Sequence, residues 1–262
     1  MVKLGSNDRG AMKTFTSGFL RSYAEAWRFL AALPFLGVAI VGVEGLQHFI
    51  EWRAGMYVSS SGARHAALDM GRMICGSLKV VWLSVVAFWI IRFVINGSPR
   101  QAMRPGGVAL WGYAGVMIFV ILIGVVPLWP PLLAPAGAAQ RAVSIAALLF
   151  QLVLLPLGAA LTPWVVGAAL GDPQANPLSA LKRAWGSIWW AIGLSLAVEL
   201  PLMAAHYGLG LGAIGRPGPQ ALAMLIADAI LVGFLGVVIT TAQVVVAERM
   251  AERAGEHLVL LV

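Results

Sequence analysis

The chain has 262 residues, 60% of them hydrophobic and only 11% charged, with 18 Lys/Arg against 11 Asp/Glu, ten tryptophans and a net charge of +7. A soluble domain carries about 25% charged residues, so this chain lacks the polar skin that a water-soluble fold needs, and its hydrophobicity equally excludes disorder. An integral membrane protein is what remains. The single cysteine, Cys75, excludes an intramolecular disulfide and a thiolate metal cluster. The positive charges collect at the ends of apolar runs and form no long basic stripe, which points to anionic headgroups and topology control, with no nucleic acid among the partners.

Taken in chain order, residues 1–27 read as an N-terminal interfacial segment. Met12, Phe15, Phe19, Tyr23, Ala26 and Trp27 fall at helical spacing, with Lys13, Arg21 and Glu25 elsewhere around the helix. This mixed segment is too long for the n-region of a cleavable signal peptide, and neither end carries a lipidation motif. Six apolar stretches fill residues 28–247: Arg28 to Ile50, Arg72 to Ile95, Val108 to Leu128, Arg141 to Leu170, Gly186 to Leu209 and Pro219 to Ala247. Each reaches the roughly 20 helical residues that cross a ~30 Å hydrocarbon core. Their continuity excludes barrel strands, which alternate over ~10-residue segments. The fourth stretch carries Pro156 and Pro163, and each predicts a kink because it removes a backbone donor. The sixth is longer than a bilayer needs, predicting tilt or extension past the surface. Residues 248–262 form a short tail. The expected fold is a single all-α polytopic domain of six spans in three hairpins, with amphipathic interfacial helices.

Orientation follows from Lys and Arg. With the N-terminus inside, the cytoplasmic side holds Lys3, Arg9, Lys13, Arg21, Arg28, Arg92, Arg100, Arg104, Lys182, Arg183, Arg249 and Arg253. The outside holds Arg53, Arg64, Arg72, Lys79, Arg141 and Arg216. This two-to-one excess predicts both termini in the cytoplasm, as in a bacterial inner-membrane protein. The external turns are rich in proline and glycine, as in Trp129-Pro130-Pro131 and Arg216-Pro217-Gly218-Pro219.

The cytoplasmic side also carries a repeated pattern. Gly97-Ser98-Pro99 precedes Trp111-Gly112, and Gly171-Asp172-Pro173 precedes Trp185-Gly186, with proline and tryptophan twelve residues apart each time and an offset of 74 residues. Asp172 is a candidate cap for the segment that follows. There Leu178, Leu181, Trp185 and Ile188 form one apolar stripe beside Lys182 and Arg183, the pattern of a helix lying in the membrane interface. In the earlier copy Pro105, Gly106 and Gly107 would interrupt such a helix. Three units result, each an interfacial segment and a hairpin, related as parallel repeats. A generic charged and aromatic lead-in to any hairpin accounts for the same similarity.

The run Gly171-Asp172-Pro173, then Leu178-Ser179-Ala180-Leu181-Lys182-Arg183-Ala184-Trp185, resembles bacterial six-helix membrane proteins of the YciC-like group. That group is similar to the membrane domain fused to some glycerophosphodiester phosphodiesterases. The resemblance implies a six-helix inner-membrane domain with interfacial helices and no catalytic residues of its own. No soluble phosphodiesterase domain accompanies it here, so that activity does not carry over.

Charges inside spans cost roughly 2.5–3.5 kcal/mol each on insertion scales, so each needs a reason. Five lie away from span termini: Glu44, Lys79, Arg92, Glu199 and Asp228. Glu44 and Lys79 share a depth on adjacent antiparallel spans, which predicts an ion pair. Glu199 and Asp228 share a level about 13 Å from the outer ends at ~1.5 Å per residue. Two such acids need a proton, a cation or water between them. Glu44 and His48 lie on one helical face, as do Glu199 and His206. One reading is an outward-facing polar cavity lined by Glu44, His48, Lys79, Glu199, His206 and Asp228, able to move protons or to bind a cation or headgroup. The other leaves the histidines solvated at the interface and each acid satisfied by a neighbouring helix. Arg92, near an inner end, is expected to snorkel. Trp27, Trp52, Trp111, Trp129 and Trp185 fall at predicted interfaces, with Trp27, Trp111, Trp185, Lys182 and Arg183 the expected anchors. Gly233-x-x-Gly236 predicts close helix packing.

No His/Cys/Asp/Glu set shows metal-ligand spacing along the chain and no haem ligand pair is present, so neither metal nor cofactor is expected. There is no Walker motif, dinucleotide fingerprint or nucleophile elbow, and no cluster of His, Asp or Arg at one interface, so no enzyme is expected. Two function classes stand. One is a non-enzymatic inner-membrane protein acting as a scaffold or in envelope lipid handling, with membrane lipids and a membrane protein as partners. The other is a small transporter or channel with its site near Glu199 and Asp228.

Overall fold

A computed structural model describes residues 15–126, 129–134 and 137–258, and among them every regular element is helical. Lys3, Arg9, Met12, Lys13 and Leu128 lie outside the described residues. Five helices are long and apolar enough to cross a membrane, and a sixth span is completed when one sharply bent helix pair is counted as a unit. The chain has the build of a multi-pass membrane protein. It is also inverted relative to a soluble fold: Ile145, Leu148, Leu152 and Val153 are exposed, while Arg92 and Asp228 are fully buried.

The bent pair corrects the first expected span. Instead of running from Arg28 to Ile50, the chain forms α1 (Phe15–Ala32), then turns by 100° into α2 (Pro34–Arg53). Pro34 supplies the reason. It has no N–H to continue the ladder, and its ring drives Leu33 off helical geometry, to φ −134° and ψ 58°. Arg28 therefore lies on α1, ahead of the bend. α1 is held by Ser22, whose carbonyl accepts from Thr241 Oγ1 at 2.7 Å, and by an Arg21–Glu248 ion pair.

The short helix α3 (Ser60–Ala66) follows a loop, and α4 (Met70–Asn96) returns through the bundle. Asp69 caps α4, accepting from Arg72 N at 2.9 Å, and Gly97 ends it in the left-handed conformation at φ +70°. A four-residue helix, α5 (Pro99–Ala102), precedes α6 (Gly107–Val125), so the helix does stop ahead of Pro105. α7 (Pro130–Leu133) leads into α8 (Ala138–Leu170), which continues through both Pro156 and Pro163 and ends at left-handed Gly171. α9 (Pro177–Ala184) is capped by Asn176, whose side chain accepts from Ser179 N at 2.9 Å. The expected cap, Asp172, instead accepts from Gln174 N at 2.8 Å within the preceding turn.

α10 (Ile188–Ala213) and α11 (Gly218–Arg253) form the last hairpin. α11 has 36 residues, about 54 Å at 1.5 Å per residue. It runs six residues beyond the expected end at Ala247, and it packs against α1, α2, α4, α8, α9 and α10. Its buried side is built mainly from Ala and Val with Gly233, Thr240 and Thr241, small enough for neighbours to approach from several directions. At Gly233 a Cβ would stand 2.6 Å from Val41 Cγ2, and at Gly236 one would stand 3.0 Å from Leu83 Cδ2.

Arg92 does not snorkel. It is fully buried and donates from Nε to the Ala102 carbonyl at 3.1 Å, from Nη1 to the Ala169 carbonyl at 3.0 Å and from Nη2 to the Arg104 carbonyl at 3.4 Å. Those carbonyls sit at and just beyond helix C-termini, where oxygens lack intrahelical partners and the helix dipole favours a cation. The guanidinium thus ties the ends of α5 and α8 to α4.

Candidate functional site

The buried polar side chains converge where the C-terminal half of α2 meets α4, α10 and α11. On α2, Glu44, Gln47, His48 and Glu51 fall at i, i+3, i+4 and i+7 and so share one face, and all four are buried. α4 presents Lys79 and Arg72, α10 presents His206, α11 presents Asp228, and the loop after α2 folds Tyr57 back over the cluster.

His48 is the centre. Its Nδ1 lies 3.1 Å from Glu51 Oε2 and 3.1 Å from the Tyr57 hydroxyl, which itself donates to Glu51 Oε2 at 2.5 Å. Its Nε2 lies 3.0 Å from Asp228 Oδ2 and 3.7 Å from Glu44 Oε1. Outer partners hold the acids. Lys79 Nζ pairs with Glu44 Oε2 at 2.8 Å, as their shared depth predicts. His206 Nδ1 meets Asp228 Oδ1 at 2.8 Å. Arg72 Nε and Gln47 Nε2 donate to Glu51 Oε1 at 2.8 and 3.0 Å. Burial and the Glu51 carboxylate push the Tyr57 phenol up from its ordinary pKa.

Five of the six expected site residues, Glu44, His48, Lys79, His206 and Asp228, are therefore brought together by direct contact. Glu199 is not among them. It makes no hydrogen bond or ion pair among the described residues, and it sits two turns from His206, about 10 Å along the axis of α10. The two acids at one level thus do not form a pair, because both Asp228 oxygens face imidazoles. Sequence reasoning missed Gln47, Glu51, Arg72 and Tyr57. Gln47 and Glu51 were legible as the continuation of the Glu44–His48 face, whereas Arg72 and Tyr57 reach the cluster only through the fold.

The arrangement holds excess negative charge beneath the protein surface. Asp228, Glu44 and Glu51 have 0%, 1% and 3% of their surface exposed. With neutral imidazoles, Lys79 and Arg72 offset two of the three carboxylates, leaving room for one proton or for a cation. Glu44, His48 and Asp228 each offer a ligand atom, and these atoms all lie within 4.8 Å of one another.

The expected anchors lie at the opposite end of the bundle. Trp27, Trp111 and Trp185 are exposed there, joined by Trp189. Lys182 is exposed, and Arg183 pairs with Glu256 at 2.5 Å. Of the expected apolar stripe, Leu178, Leu181 and Trp185 face outward, whereas α9 stops at Ala184 and Ile188 begins α10, half-buried against the core; Ala180 and Ala184 seat α9 on the bundle. Two open clefts flank this region. One of about 550 Å³ is lined by Trp111, Trp164 and Asp172, and one of about 580 Å³ by Asn176, Lys182 and Arg183.

Comparison with family models, with curated proteins and with solved structures yields no match for this chain.

Proposed function

We propose that the chain is a non-enzymatic bacterial inner-membrane protein, a scaffold or lipid-handling module with both termini in the cytoplasm and six spans arranged as three hairpins. The observation that carries this reading is the surface around α9. Exposed Leu178, Trp185, Trp111 and Trp27 adjoin exposed Lys182 at one end of the bundle. Amphipathic helices of this kind lie in the headgroup region, gripping anionic lipid with cations and acyl chains with apolar side chains. The two clefts there suit a headgroup and the upper part of an acyl chain. The left-handed glycines at 97 and 171, each followed by a capped proline-led helix, support the three-unit plan, as does the resemblance to the YciC-like group. Asp228 is capped by His48 and His206 and makes no contact with Glu199, which supports a scaffold over a pore.

Purification in native lipid with mass spectrometry tests it. Anionic phospholipid should be retained, and Lys182→Gln with Arg183→Gln should reduce that retention several-fold. If neither lipid nor partner protein is held, the reading fails. A transporter reading draws support from one observation, the row of adjacent ionisable side chains Lys79, Glu44, His48, Asp228 and His206. It requires proton- or cation-coupled flux in vesicles that Asp228→Asn abolishes, and absence of flux from the parent protein ends it.

A further inference from the structure

We propose that Glu44, His48 and Asp228 form a binding site for one divalent transition-metal ion of the zinc class. The proposal does not depend on the membrane-scaffold reading.

The argument begins with hydrogen placement. His48 Nδ1 faces the Glu51 carboxylate, which Arg72, Gln47 and Tyr57 hold as an acceptor. Nδ1 therefore carries the hydrogen and donates it to Glu51. In the neutral ring Nε2 is then a lone pair. That lone pair points into a space bounded by Asp228 Oδ2 at 3.0 Å and Glu44 Oε1 at 3.7 Å. Three electron-rich atoms converge with no hydrogen bond to relieve them: His48 Nε2 and Asp228 Oδ2 are both buried and both lack a hydrogen-bond partner. Their separation is short, but its angles are not those of a hydrogen bond.

Two features select a metal of this class. Zinc bonds to nitrogen and oxygen at about 2.0–2.1 Å in tetrahedral geometry, which sets ligand atoms about 3.3 Å apart. The observed 3.0 and 3.7 Å bracket that spacing. One imidazole with two carboxylates is also a donor set that borderline divalent ions take, harder than a thiolate site and softer than an all-oxygen one.

Each ligand is further fixed by an outer partner on its far atom, as metal ligands characteristically are. Glu51 holds His48, His206 holds Asp228, and Lys79 holds Glu44. Lys79, His206 and Arg72 are the partly exposed members of the cluster, so they mark the way in. A divalent ion turns the net charge of the three acids, Lys79 and Arg72 from −1 to +1.

The test uses the full-length chain, without a polyhistidine tag, in nanodiscs. After exposure to Zn²⁺ and removal of the excess, elemental analysis should find about one zinc per chain. X-ray absorption should show a nitrogen/oxygen shell with imidazole scattering near about 2.0–2.1 Å. His48→Gln and Asp228→Asn should lose the metal. Glu51→Gln, which touches no metal, should weaken binding by about 10–100-fold. His257→Gln should bind as the parent does. Parent protein that is folded and holds no zinc would overturn the proposal, leaving a proton in that space. Retention of zinc by His48→Gln, or an absorption spectrum without imidazole, would overturn it equally. Should the ligand variants fail to fold, the parent spectrum alone decides, since an imidazole–oxygen shell supports the site and its absence removes it.

Discussion

Replacing Arg92 by methionine should destabilise the bundle by about 3–5 kcal/mol, from the charge-assisted hydrogen bonds that it removes and the buried carbonyls that it leaves unpaired. The guanidinium is fully buried and serves three carbonyls, two of them at 3.0 and 3.1 Å and one at 3.4 Å. Hydrogen bonds to a charged donor contribute about 1.5–3 kcal/mol each, net of desolvation. The two shorter bonds alone account for the lower figure, and the longer one adds less. Methionine follows the path of the stem and leaves a small void, but it cannot satisfy Ala102 or Ala169, both of which are themselves buried. Lysine keeps the charge but lacks the fork, so Arg92→Lys should lose about half as much. The chain carries its own reporter. Cys75 is the sole cysteine and is buried, so a thiol-reactive dye signals only unfolded protein. At roughly 2–4 °C per kcal/mol for a chain of this size, the methionine variant should melt about 6–20 °C lower. A midpoint within about 2 °C of the parent would refute the claim that Arg92 ties α5 and α8 to α4.

The same melt checks three further outcomes. Gly233→Ala forces a Cβ to 2.6 Å from Val41 Cγ2 and should cost about 1–3 kcal/mol, whereas Gly158→Ala meets nothing within 4 Å and should be neutral or stabilising by up to about 1 kcal/mol. In chelator-treated protein, Lys79→Met strands the buried Glu44 carboxylate at a cost of about 3–5 kcal/mol, and adding Glu44→Gln should recover most of it. Failure of the second change to rescue would mean that the pair is not what Lys79 is for. Asn176→Ala removes the capping box of α9 and should cost about 1 kcal/mol, while Asp172→Ala should leave α9 capped.

Helix positions beyond the first span were legible because continuous apolar runs of bilayer length have few alternatives. Met70–Asn96 and Ala138–Leu170 fall within a few residues of the stretches read from hydropathy. The first span was misread because Pro34 sits inside an apolar run, where hydropathy is blind to a missing N–H. Arg92 was misread for a different reason. A cation near a span end can reach water or a neighbour, and the choice depends on the carbonyls of Ala102 and Ala169, the second of them 77 residues away.

Composition alone excluded a soluble fold, since so few charges cannot clothe a chain of this length in water. Depth along each span alone paired Glu44 with Lys79. The cluster around His48 was a matter for the tertiary structure. α11 had to carry Asp228 against α2, through a contact at Gly233 that only a missing side chain allows. Which atoms face one another across that contact is a property of helix rotation and close approach. Linear spacing encodes the first within one helix and says nothing of the second between two.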